Sequence, residues 1–184
     1  MKTIKLSFLV ALLFVGNEVF SQNSGGYSKG IRAGWHYAGM FRSGDQQFSN
    51  LNSFYVGFFN EFKSSGLIGG GSGIEYFQNG FENQSGNFRM HTLSLPVYIK
   101  PQIGPIFGTA GFSFNFKLGD NREDFPNVIT DTKFFDIPLT LGLGVQLGKI
   151  QVEARYFWGL FDAAYINGRG YKNQYLQLGG ALSF

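Results

Sequence analysis

Large apolar residues recur at every second position along much of this chain. The longest run begins at Phe135, where Ile137, Leu139, Leu141, Leu143, Val145 and Leu147 alternate with Asp136, Pro138, Thr140, Gly142, Gly144 and Gln146. After Gly148-Lys149 the alternation resumes: Ile150, Val152, Ala154, Tyr156, Trp158 and Leu160 fall on one side, Gln151, Glu153, Arg155, Phe157 and Gly159 on the other. A period of two marks a β-strand with one apolar face, and a two-residue connection joins antiparallel neighbours. Each arm is about a dozen residues long, roughly twice the usual strand, and a tilted arm of that length can cross a bilayer.

The same pattern predicts six more strands: Lys29 to Phe41, Leu51 to Phe62, Leu67 to Phe77, Phe88 to Lys100, Pro105 to Leu118 and Tyr171 to Phe184. The third is weakened by Gly69-Gly70-Gly71. Polar gaps at Arg42 to Asn50, Gln78 to Asn87, Gly119 to Thr132 and Asp162 to Gly170 alternate with the short links Lys63 to Gly66, Pro101 to Gly104 and Gly148-Lys149. Long outward loops alternating with tight periplasmic turns are the pattern of an outer-membrane barrel. The expected fold is all-β: an eight-stranded antiparallel up-and-down transmembrane β-barrel.

Alternation alone does not say which face is the lumen, because a soluble lipocalin-like barrel has the opposite polarity. Charge decides it. The polar faces carry Arg32, Lys100, Lys117 and Arg155 against Glu61, Glu75, Asp136 and Glu153, four of each sign. An eight-stranded barrel is just wide enough to be filled by side chains, so charges enclosed there must pair, and a balanced set can form a lumen ion-pair network. Glycines on the same face (Gly34, Gly57, Gly142, Gly144, Gly159) leave room for those long side chains. The opposite face carries Trp35, Tyr37, Tyr76, Tyr156 and Trp158, rings suited to the membrane interfaces. Terminal Phe184 continues the apolar set of the last strand and is expected to serve as an assembly signal. Pro96 and Pro138 fall inside strands, where each removes a ladder donor, so bulges or rescue by a lumen group or water are expected there.

Composition agrees with a wall facing lipid. Of 184 residues, 27 are Gly and 22 Phe, and charged residues make up only 15%, against the usual quarter or so. The first 21 residues read as a secretory signal, with Lys2 and Lys5 ahead of the apolar run Leu6 to Val15 and cleavage placed after Ser21; residues 22–28 are expected to be a short periplasmic lead-in and residues 29–184 the barrel. No cysteine is present, which removes disulfides and thiolate metal sites. The charged residues form no basic cluster, so nucleic acid is not an expected partner.

Three stretches resemble the small PorT-type outer-membrane β-barrels of Bacteroidota. Leu93-Ser94-Leu95-Pro96-Val97-Tyr98-Ile99-Lys100 is similar to that family's Leu-Glu-Ile-Pro-Leu-Leu-Leu-Lys strand. Gly30 to Gly34 resembles its first strand and Ala154 to Leu160 its seventh, while Ser94 and Pro101 depart from the pattern. The resemblance implies the barrel fold and the cell outer membrane, with a link to protein secretion; it brings no catalytic motif.

Candidate chemistry is sparse. Barrel enzymes that act on lipid use a His with a Ser and sometimes an acid, but His36 falls on the lumen face and His91 on the outward one. Asp120, Glu123, Asp124 and Asp131 match no EF-hand spacing. The expected protein is therefore not an enzyme and has neither metal nor cofactor. It is expected to act as a membrane scaffold presenting four loops for surface or envelope contacts, the alternative being an accessory subunit of a secretion or assembly machine. A lipid-modifying enzyme and a narrow pore are further alternatives. Expected partners are outer-membrane lipid, the assembly machinery during biogenesis, and envelope or secretion proteins.

Overall fold

The computed structural model describes residues 26–42, 45–46, 49–63, 67–83, 86–121, 124, 129–166 and 168–184. The expected signal sequence, residues 1–21, and residues 22–25 of the expected lead-in lie outside them. Eight long strands follow one another: β1 (Tyr27–Arg42), β2 (Ser49–Lys63), β3 (Ile68–Asn83), β4 (Gly86–Ile103), β5 (Ile106–Asp120), β6 (Pro138–Leu147), β7 (Ile150–Ile166) and β8 (Arg169–Ser183). Each pairs antiparallel with the next, and β8 returns to β1 over twelve rungs, from Gly30–Ser183 to Phe41–Lys172. The sheet closes on itself and has no free edge through the wall. Closure of this kind is what a membrane demands of strands, since lipid offers their amides no partner.

Polarity is inverted relative to a soluble protein. Leu141, Leu143, Val145 and Leu147 on β6 and Val152 on β7 are 41 to 70% exposed, whereas Thr140, Gln151, Glu153 and Arg155 are no more than 4% exposed. The apolar residues of the alternating runs thus face outward and the charged ones inward. Tyr27 and Ser28, expected in the lead-in, already belong to β1. The hairpin turn Gly104-Pro105 and the turn Gly148-Lys149 each place a glycine at positive φ, 58° and 61°, a conformation that glycine enters without steric cost.

The strands outrun the alternating segments. Residues 78–83 and 86–87, expected in a polar gap, are strand, as are Asp162 to Ile166 and Arg169 to Gly170. Within the other two expected loops, Asp45–Gln46 pairs with the end of β1, and Ile129–Thr132 pairs with the end of β7. Register shifts fall toward this end, between Asn50 and Tyr55 against β3, between His91 and Thr92 against β5, and between Trp158 and Ala164 against β8. Tyr27, Ser183 and the turns Gly104-Pro105 and Gly148-Lys149 occupy the opposite end.

The expected bulges at the prolines are absent. Opposite Pro96 the ladder between β4 and β3 lapses at Gly73 and Ile74, then resumes in unchanged register at Ser72–Val97. Ahead of Pro138 the wall breaks at Ile137, yet Phe135–Asp136 still pairs β5 in the same register as Phe112–Leu139. Pairing on both flanks holds the strand in place, so a missing donor costs rungs and does not shift the register.

A nitroxide at Leu141 is expected to be more accessible to lipid-dissolved oxygen than to an aqueous nickel chelate, and one at Thr140 to show no such oxygen preference. The reverse result would contradict the inverted wall.

Candidate functional site

The inward side chains of the lower barrel form one connected ionic cluster. Arg32 on β1 lies 3.5 Å from Glu61, 3.6 Å from Glu75 and 3.3 Å from Glu153. Arg155 on β7 makes a two-pronged contact with Glu75, at 2.8 and 3.1 Å, and its Nε is 3.4 Å from Glu153. Lys100 closes the cluster toward the tight-turn end, donating to Glu61 at 2.6 Å and to Gln151 at 3.0 Å. All six ionic groups are at least nine-tenths buried. Three cations meet three carboxylates here, so the charge cancels where water is excluded.

Local sequence makes the cluster fit. A Cβ at Gly57 would come 2.6 Å from Glu75, and one at Gly142 would come 2.9 Å from Arg155. At Gly71 it would stand 2.7 Å from the ring of Tyr98, so the glycine run of β3 makes room for that ring. Tyr98 bridges the pair beside it: Arg32 donates to its hydroxyl at 2.7 Å, and that hydroxyl donates to Glu61 at 2.8 Å. Aromatic faces cover the remaining guanidinium and ammonium surfaces, with Phe59 4.6 Å from Arg32, Phe107 4.1 Å from Lys100 and Tyr55 5.3 Å from Arg155. Tyr98, Gln151 and Gln177 were not singled out from sequence, although all share the inward parity of the charged residues.

Above the ions lies an aromatic layer. Phe157 stacks on Tyr175 at 4.4 Å, Phe77 lies 5.1 Å from Tyr175, and Tyr55 and Ala38 complete the cluster. His36 is held within this layer, 4.6 Å from Phe77, with Nε2 3.0 Å from the Asn79 amide oxygen. Gln177 approaches Nδ1 at 3.2 Å while accepting from Arg155 at 2.8 Å. An amide that donates to Nδ1 leaves the imidazole proton on Nε2, facing Asn79. His91 is on the other side of the wall, 2.6 Å from the Tyr76 hydroxyl. Among the described residues, neither histidine is hydrogen-bonded to a serine, a threonine or a carboxylate.

Two of the eight charges expected in the lumen network stand apart from it. Lys117 bonds Asp120 at 2.7 Å and the hydroxyl of Thr132. Asp136 is buried without an ion pair to any described residue. Both lie toward the outward end, beyond the aromatic layer, because the expectation rested on parity, which fixes the face and leaves the height open. Near them the outward extensions build a second core from Met40, Phe81, Phe88, Met90, Ile129, Ala164, Ile166 and Tyr171. Of the acidic loop residues, Glu123 lies outside the described residues, Asp120 is engaged by Lys117, and Asp131 is 3.8 Å from Lys133. The described residues contain no group of three or more His, Cys, Asp or Glu able to hold a metal ion.

On the outer surface Trp35 stacks on Tyr37 at 5.1 Å, and Tyr156 lies 4.4 Å from Trp158. Their polar tips find partners along the wall, Trp35 donating to Asn52 at 3.2 Å and Tyr156 to Gln174 at 2.8 Å. Tyr76 shares this face. Phe184 is 73% exposed while its amide donates to the Lys29 carbonyl.

Known structures share this architecture. Neisserial surface protein A (NspA) aligns with 86% of this chain and 99% of its own at a TM-score of 0.53 and 13% identity. The Yersinia pestis outer membrane protein Ail, in a phospholipid nanodisc, aligns with 86% of this chain and all of its own at 0.52 and 12%. At such identity the likeness is one of fold. No family sequence profile and no curated protein sequence matches the chain significantly. The closed barrel, apolar outside and ionic within, is that of an outer-membrane protein.

Removing one partner of a buried ion pair leaves an uncompensated charge, at a cost of about 3 to 5 kcal/mol. Glu153→Ala is therefore expected to lower the unfolding temperature well below that of Lys133→Ala, whose half-exposed pair with Asp131 contributes at most about 1 kcal/mol. Equal shifts in a thermal melt would contradict the role of the cluster.

Proposed function

We propose that this protein is a non-enzymatic outer-membrane scaffold, its lumen filled by side chains and its outward hairpins presented for surface or envelope contacts. The observation that carries this reading is the stacking of ionic cluster, aromatic layer and second core along the barrel. The first two fill the interior that a pore would need. The third stiffens the outward hairpins, so that they stand as extensions of the wall. The name of NspA, a surface protein, accords with display of this kind.

A second reading, an accessory subunit of a secretion or assembly machine, is favoured by the PorT-type resemblance. Its main stretch lies on β4, with Ser94, Pro96, Tyr98 and Lys100 inward and Val97 and Ile99 on the lipid side. On this reading the wall is as described and an envelope protein occupies its surface. In both, outer-membrane lipid and the assembly machinery are the partners of the barrel itself, and the exposed Phe184 is a contact offered to that machinery.

Liposomes carrying the folded protein are expected to retain a glucose-sized solute as well as empty ones do; rapid release would overturn the filled lumen. In solubilised envelopes the scaffold purifies without stable companions, whereas stoichiometric co-purifying proteins would favour the accessory subunit. A deletion strain is expected to keep its lipid A and phospholipid mass spectra unchanged. A change reproduced by His36→Ala would instead make the protein an enzyme.

A further inference from the structure

The outward face of β3 and β4 carries a guanidinium directly above the aromatic level of Tyr76. Arg89 and His91 on β4 alternate outward with Leu93, and Gln78 and Tyr76 face the same way from β3, where Gln78 pairs with His91 and Tyr76 with Leu93. All four polar side chains are half-buried. Arg89 has no carboxylate within ion-pair reach among the described residues, unlike the three lumen cations. Its Nη1 donates to Gln78 Oε1 at 2.8 Å, which orients the guanidinium and leaves the Nε–Nη2 edge without a partner among those residues. Asn121 braces the backbone beneath it, accepting from the Arg89 amide at 2.8 Å and donating to the Asn87 carbonyl at 3.0 Å. The Tyr76 hydroxyl lies 2.6 Å from His91 Nδ1; in the tautomer that accepts from Tyr76, Nε2–H faces out beside Arg89.

Arg89 lies at the rim of the wall, between Phe88 and Met90 of the second core, where a charge on the outer face is tolerated and lipid phosphates lie within reach. The interface aromatics place this charge at headgroup depth, and the two-pronged edge of a guanidinium matches a phosphate. Below the patch the wall is apolar, with Phe54 and Val56 on β2 54% and 45% exposed and Phe54 6.3 Å from Tyr76. We propose that Arg89, held by Gln78 and flanked by His91, binds the phosphate of an outer-leaflet lipid whose acyl chains lie along Phe54, Val56 and Leu93. Glu82 stands higher on the same face, opposite Asn87, and sets an upper limit to the anion's position.

This site rests on the membrane-barrel reading, and the two are separable. The full chain, folded in dodecyl maltoside, would be titrated with diphosphoryl lipid A, with the same lipid after removal of its phosphates, and with inorganic phosphate. Lipid A is expected to bind, Arg89→Gln to weaken it by at least about tenfold, as loss of a charge-assisted bond implies, and Lys172→Gln to leave it unchanged. The dephosphorylated lipid should bind correspondingly less tightly. Equal binding by Arg89→Gln, an equal loss in Lys172→Gln, or indifference to dephosphorylation would overturn the site; inorganic phosphate binding as tightly as lipid A would overturn a lipid ligand. Retained heat-dependent mobility on a detergent gel confirms that each variant is folded. If Arg89→Gln fails that check, Gln78→Leu, which frees the guanidinium, repeats the measurement with the same expected loss. A wild-type chain without the mobility change would instead bring down the barrel reading itself.

Discussion

The backbone hydrogen bonds between β1 and β8 are the constraint on which everything else rests. Eight strands laid side by side in lipid would leave two edges of unsatisfied amides and carbonyls, each costing several kcal/mol. Joining Gly30–Phe41 to Lys172–Ser183 removes both edges at once. Closure in turn makes a narrow interior, and a narrow interior must be filled. The long side chains of Arg32, Arg155, Lys100, Glu61, Glu75 and Glu153 fill it, at the cost of desolvating six ions. That cost is offset by mutual pairing, by hydrogen bonds donated by Tyr98 and Gln151 and accepted by Gln177, and by glycines that let the chains lie flat against the wall.

The interior is graded along its axis. On β1 the inward residues run Arg32, His36, Ala38, Met40; on β3 they run Glu75, Phe77, Asn79, Phe81; on β8 they run Gln177, Tyr175, Asn173, Tyr171. In each strand a charged or amide side chain gives way toward the outward end to an aromatic or imidazole ring and then, past Asn79 and Asn173 on β3 and β8, to the second core. Outside the bilayer the wall no longer faces lipid, so the pressure to put apolar groups outward relaxes, and an ordinary hydrophobic core becomes the better solution. The outward hairpins therefore behave as a small water-facing domain grown from the rim of a membrane-facing one.

Much of this was legible from alternation. The eight strands, their order and the assignment of faces follow from residues such as Leu139 to Leu147 and Thr140 to Gln146, because the pleat turns parity directly into direction. Height was not legible. Lys117 and Asp136 share the parity of Arg155 but sit above the aromatic layer, and no local rule reports the stagger between distant strands. The outward extensions were hidden for a related reason: Phe81, Ala164 and Ile166 are apolar on the inward side, so the expected alternation stops where its polarity changes. The tether on His36 depends on Asn79 and Gln177, 43 and 141 residues away, a separation that no spacing motif spans.

The second core also uncouples the outward hairpins from the layer that crosses the membrane. Because Met40, Phe81, Phe88, Ile129, Ile166 and Tyr171 anchor the outward hairpins from within, the tips beyond them can exchange residues without disturbing the ionic layer two storeys below. The charge-paired layer and the outward core are thus mechanically independent storeys of one cylinder: each can be repacked without moving the other.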